Sequence, residues 1–103
     1  MNVLTPGHKY GLANFEDPNT TQEIQFIEKV PESEGSTTLR TVNDGTTNEE
    51  VLVVLIDRLN SLQAKFPCRE NAIVITKLEE CAMWLEKRTK DRKSRGVEGK
   101  QIK

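Results

Sequence analysis

Two long apolar-periodic segments separated by a single proline restrict this chain more than any other feature. Val51 to Ile56 is an unbroken apolar run. Taken alone, it fits a buried strand. Leu52, Leu55, Leu59, Leu62 and Phe66 extend it with three-four spacing, which is the rhythm of a helix. Thr47-Asn48-Glu49-Glu50, just upstream, has the capping-box form, with threonine at the cap and glutamate three residues on. Pro67 ends this helix and suits the first position of another. In the second segment Val74, Leu78, Cys81 and Leu85 form one stripe, flanked by Ile75, Ala82 and Trp84, and no breaker intervenes before Gly96. So short a connection makes the two helices antiparallel neighbours, from about Thr47 to about Lys93. The density of the first apolar run predicts cover on more than one side, from a sheet and from another subunit.

The preceding residues follow a different grammar. Gln22 to Val30 alternates, with Ile24 and Phe26 on one side of a strand. His8 to Phe15 reads as a strand ending at the turn Asp17-Pro18-Asn19, and Thr37 to Val42 has the β-branched content of a third. Asn43-Asp44-Gly45 is a turn cluster. The chain of 103 residues therefore reads as one α+β domain. Its parts are a small N-terminal antiparallel β-meander over about 8–45, an antiparallel two-helix hairpin over about 46–95, which dimerises through the helices, and a polar tail over 96–103.

Composition excludes several classes. The net charge of -1 gives no global steering to nucleic acid or membrane, although Arg88, Lys90, Arg92, Lys93 and Arg95 crowd the end of the second helix. No apolar run is long enough to span a bilayer, and the first residues lack the apolar stretch of a signal peptide. Cys68 and Cys81 lie about 20 Å apart along one helix, too far to bridge within it, and read as reduced and structural. Signals of catalysis are weak. His8 is the single histidine, no Cys/His cluster has metal spacing and no glycine-rich loop follows a strand. Glu49-Glu50 and Glu79-Glu80 are adjacent pairs whose side chains point apart on a helix, as in a solvated face.

Arg88 and Arg92 are the more pointed feature. They are four apart and share a helix face, where two planar donors can clamp a phosphate. The competing reading, which spacing alone favours, is a charged helix end paired with Glu86 or Asp91. Asn71 and Phe66 lie at the other end of the second helix. Seventeen positions separate Asn71 from Arg88, or about 25 Å, so one small ligand cannot reach both in one chain. Two hairpins packed antiparallel about a two-fold would bring Asn71 of one to Arg88 and Arg92 of the other and create two identical pockets. Phe66 could stack on a base there.

Glu70-Asn71-Ala72-Ile73, then Thr76 to Leu85, resemble the second helix of the hairpin domain shared by phage anti-Thoeris and anti-CBASS sponge proteins. His8-Lys9-Tyr10, Ile24 to Lys29, Asn43 to Glu50, Arg88 to Arg92 and Arg95 to Gly99 resemble the anti-Thoeris type in order and spacing. The resemblance is weakest over residues 11–21 and 31–39. It implies a non-enzymatic, cofactor-free protein that binds and sequesters the cyclic ADP-ribose isomers made by bacterial TIR proteins, in the cytoplasm of the infected host. Under it the pocket asparagine and paired arginines fall on Asn71, Arg88 and Arg92, Phe66 is the candidate stacking residue, and the clamp reading overtakes the charged helix end. It also implies a homodimer or a homohexamer built as a trimer of dimers, and a separate site for cyclic di- or trinucleotides, for which Arg40 is the candidate. No membrane or nucleic-acid polymer is expected as partner. The alternative is a small protein-interaction module that docks a partner through the apolar helix face.

Overall fold

A computed structural model describes residues 1–103, which divide into two compact units, Met1–Thr47 and Asn48–Lys103. The first unit holds five strands: β1 (Asn2–Thr5), β2 (Lys9–Ala13), β3 (Thr21–Gln25), β4 (Glu28–Pro31) and β5 (Leu39–Asn43). They form an antiparallel sheet β1-β2-β3 and an antiparallel pair β4-β5. The meander expected from the sequence is present, with five strands in place of three.

One addition is β1, too short to announce itself by alternation. A turn at Gly7 folds it onto β2, with Val3 opposite Tyr10, and the His8 amide donates to the Thr5 carbonyl at 2.9 Å. The other arises because the strand expected over Gln22 to Val30 changes partners midway. The Phe26 amide donates to the His8 carbonyl at 2.6 Å, whereas the Ile27 amide donates to the Thr46 carbonyl at 2.9 Å. Thr46 also donates to the Gln25 carbonyl at 2.8 Å, so the Asp44–Thr46 strip lies across the break. Gly45 is required there, since a Cβ would sit 2.4 Å from the Gln25 carbonyl oxygen. The Asp17-Pro18-Asn19 turn forms as expected, with Asp17 accepting from the Asn19 and Thr20 amides. Tyr10 meets Phe26 edge to face, with centroids 6.1 Å apart.

The second unit contains α1 (Asn48–Lys65) and α2 (Arg69–Ser94), packed against each other through a three-residue connection. Glu49 and Glu50 occupy the first turn of α1 and Arg92 and Lys93 the last turn of α2, both favourable to the helix dipole. Pro67 does not open α2 as expected. It lies one residue before the cap, which is Cys68 in extended conformation, and the Cys68 Sγ accepts from the Asn71 amide at 3.5 Å. Gln63 ties the connection from both sides: its Nε2 donates to the Cys68 carbonyl at 2.9 Å and its Oε1 accepts from the Cys68 amide at 2.8 Å. At the far end Gly96, with φ of 72°, closes α2. The Val97 amide returns to the Arg92 carbonyl and the Gly96 amide to that of Lys93, which makes a Schellman cap.

The inward stripes have heptad spacing. On α1 they are Leu52, Ile56, Leu59 and Gln63; on α2, Asn71, Ile75, Leu78, Ala82, Leu85, Thr89 and Arg92. This corrects the expected α2 stripe: Ile75 and Ala82 turn inward, while Val74 and Cys81 stay exposed on its flank. No apolar side chain of the chain is fully buried. A half-buried leucine or isoleucine contributes about 1 kcal/mol, so the hairpin by itself is modestly held.

Candidate functional site

Helical spacing puts a second, partly apolar face beside the inward stripes. On α2 it is marked by Val74, Cys81 and Arg88, which recur every seven residues, with Ile73 and Trp84 beside them. On α1 Leu55 and Leu62 recur at the same interval and stay exposed, on the side that antiparallel packing brings next to the α2 flank. Exposed apolar side chains aligned on one side of a hairpin are the kind of surface through which chains associate.

The two arginines on α2 differ sharply. Arg88 is exposed and takes part in none of the ion pairs of the chain. The carboxylates that the charged-helix-end reading would offer it are engaged elsewhere, Glu86 with Lys90 at 3.0 Å and Asp91 with Arg95 at 3.1 Å. Arg92, by contrast, is 6% exposed, the only buried polar or charged side chain. Its Nη2 donates to the carbonyls of Val97 at 3.0 Å and Lys100 at 2.6 Å, its Nη1 donates to that of Ile102, and its Nε lies 3.4 Å from Glu98. The polar tail read from the sequence is thus docked on an arginine.

Asn71 lies half-buried in the first turn of α2, beside a shallow open groove formed by Arg69, Ala72, Ile73, Thr76 and Lys77. Phe66 projects from the interhelical connection and is 84% exposed. Both are at the end of α2 remote from Arg88, so one chain does not unite the four residues. Arg40 lies in the other unit, exposed on β5 opposite Val30. Sequence reasoning gave Trp84 only a flanking packing role. It is 63% exposed, with the Lys87 ammonium 5.7 Å from its ring centroid and Arg88 one turn further on. An indole beside two cations on an uncovered face could have been noticed from the 84-87-88 spacing. Both cysteines are free and exposed, and nowhere do three His, Cys, Asp or Glu side chains gather as a metal site. No helix is long and apolar enough to cross a membrane.

The family profile described as "Acb2/Tad1, hairpin domain" matches residues 19–90, from the β2–β3 turn through most of α2, and so includes Asn71 and Arg88. "Thoeris anti-defense 1" of Bacillus phage SBSphiJ7 is 54% identical over 57 residues, covering 54% of this chain and 40% of the phage protein. The aligned part therefore spans less than half the length of that curated relative. With the profile matching well over half of its residues, the chain belongs to the Acb2/Tad1 hairpin-domain family.

Proposed function

We propose that this protein is a phage immune-evasion sponge that binds cyclic ADP-ribose isomers made by bacterial TIR proteins and withholds them, unchanged, in the cytoplasm of the infected host. One observation carries the reading: Arg88 offers an exposed guanidinium without an ion-pair partner on the uncovered face of a hairpin from an anti-defence family. A pyrophosphate suits such planar donors. The half-site logic supports it further. Asn71 and Arg88 are about 25 Å apart along α2, and the flank between them bears Val74 and Cys81. A second hairpin laid antiparallel over that flank would cover the apolar side chains and join Asn71 of one copy to Arg88 of the other, giving two equivalent pockets in a dimer. Phe66 or Trp84 would supply the flat surface for adenine. Arg40 remains the candidate contact for a cyclic di- or trinucleotide bound elsewhere.

Calorimetry with a cyclic ADP-ribose isomer tests the proposal. Micromolar or tighter binding is expected, and Arg88→Ala should weaken it about 10- to 100-fold, the range for a hydrogen-bonded charge. Ligand released by heat should be chemically intact. Absence of heat at micromolar protein, or wild-type affinity in Arg88→Ala, would sink the reading. The exposed apolar flank also suits a different occupant, another protein docked on a monomer. Sedimentation at micromolar concentration separates the two, because the sponge requires a homodimer or homohexamer before any ligand is added.

A further inference from the structure

Arg92 is the most constrained side chain of the protein. A guanidinium has five N–H donors, and this one has four contacts: the carbonyls of Val97, Lys100 and Ile102 and the carboxylate of Glu98. Each edge through which it could grip a phosphate with two parallel hydrogen bonds is already engaged. At 6% exposure, an incoming anion cannot reach that edge unless something leaves.

What would leave is lightly held. The 97–103 segment curls back through Gly96 and Gly99, both at positive φ, where a side chain would be strained. Beyond Arg92 its bonds are the Schellman cap, Lys100 amide to Val97 carbonyl at 3.0 Å, and Arg95 to the Lys103 carbonyl at 2.7 Å. Ile102 is 40% exposed, so little apolar burial secures it. The Arg92 contacts are thus the main hold on the segment, and an anion that replaces them at the guanidinium leaves little else to keep it in place. Glu98 is 38% exposed at its side chain, so its carboxylate can return to water.

We propose that Glu98 and the 97–103 segment form a latch on Arg92, an internal competitor that an incoming pyrophosphate must displace. Glu98 stands in for the anion: one carboxylate, singly charged, held on Nε. A pyrophosphate brings more charge and more acceptor oxygens and can take the edge over, whereas a monocarboxylate gains nothing by the exchange. Glu98 is then a specificity-determining residue, and ligand capture is coupled to release of the segment. The inference rests on the proposed sponge reading and extends its anion contact from Arg88 to Arg92, four residues on, but its test does not need the cyclic nucleotide.

The test uses the full chain labelled with nitrogen-15 and inorganic pyrophosphate as probe. The amide signals of residues 98–102 should sharpen and shift to unstructured positions as pyrophosphate saturates. Glu98→Gln should tighten pyrophosphate binding about fivefold, roughly 1 kcal/mol. Glu86→Gln, an equal change of charge at the exposed partner of Lys90, should alter it less than about twofold. Pyrophosphate binding that leaves the segment signals in place, or equal effects of the two substitutions, overturns the latch. So does a failure of pyrophosphate to perturb either the wild type or Glu98→Gln. The sponge reading would in that case be judged separately, by its own calorimetry.

Discussion

The Met1–Thr47 unit and the Asn48–Lys103 unit solve the same problem in opposite ways. Neither fully buries an apolar side chain. The first is stitched by backbone, through ladders, tight turns and the Asp44–Thr46 strip lying across the break between β3 and β4. The second is organised by side chains, through heptad stripes, the Gln63 tie and the Arg92 latch. Backbone stitching tolerates varied side chains but fixes geometry, whereas a heptad stripe depends on what each position carries. The family profile crosses both, from residue 19 to residue 90, and leaves out β1, β2 and the latch segment. The shared part is thus the break with its crossing strip together with the hairpin up to residue 90, short of Arg92.

Replacement of an apolar residue by a charge should separate the two modes most strongly. Leu78→Asp, in the middle of the α2 stripe, should cost about 3–4 kcal/mol, because the carboxylate must either stay charged between two helices or push them apart. Val30→Asp on β4 should cost about 1–2 kcal/mol, since that half-buried residue lies in a two-stranded ladder. Denaturant midpoints at one fixed protein concentration measure both. Equal losses would remove the distinction between the units.

Within the first unit a backbone lesion should cost at least as much as a side-chain one. Gly45→Ala adds one carbon, but that carbon would meet the Gln25 oxygen at 2.4 Å and the Phe26 carbonyl carbon at 2.6 Å. Both are main-chain atoms that cannot rotate away, so a cost of about 2 kcal/mol is expected, in the middle of the overpacking range. Alanine at Gly35, a turn position with open space around its Cβ, should cost about 1 kcal/mol, from the positive φ alone. A Gly45→Ala protein as stable as wild type would mean that the strip is not held across the break.

These contrasts also explain what could be read in advance. The two helices, their antiparallel order and the meander were legible because period and turn chemistry are local. The inward register of α2 was not. Val74 and Ile75 are equally apolar, and only a partner helix decides which turns in. The split at Phe26–Ile27 left only a faint trace, two apolar residues in succession followed by Glu28 and Lys29, and the change of hydrogen-bond partner from His8 to Thr46 is a long-range event that this local irregularity does not specify. Among the site residues, the chain keeps Asn71 and Arg88 at opposite ends of α2, as their spacing demands. Nothing in the sequence distinguished Arg92 from Arg88. The difference comes from carbonyls of a segment whose composition reads as a polar tail.

In the hairpin, Gln63→Ala should give a smaller loss, about 1–2 kcal/mol. It removes both hydrogen bonds to Cys68 and leaves a partly exposed connection that water can serve. Chemical shifts confined to residues 66–71 would accompany it. A loss below about 0.3 kcal/mol would show that packing of the stripes alone sets the antiparallel turn.

Cys68→Ser is the smallest change and sharpens the comparison from the stabilising side. Cys68 holds the cap position, extended, with its sulfur 3.5 Å from the Asn71 amide. Sulfur is a weak acceptor, and a serine oxygen in the same place takes that amide more strongly. A gain of about 0.5 kcal/mol is expected, with no effect on the β unit, and the denaturant midpoint of the full chain reads it. The capped amide is that of Asn71, so the substitution also firms the turn that carries a proposed ligand contact, and affinity for a cyclic ADP-ribose isomer should hold or rise slightly. A destabilised Cys68→Ser protein would contradict this account. It would mean that the exposed thiol contributes more through its apolar surface than through its acceptor, and that the start of α2 is held by packing, as its middle is.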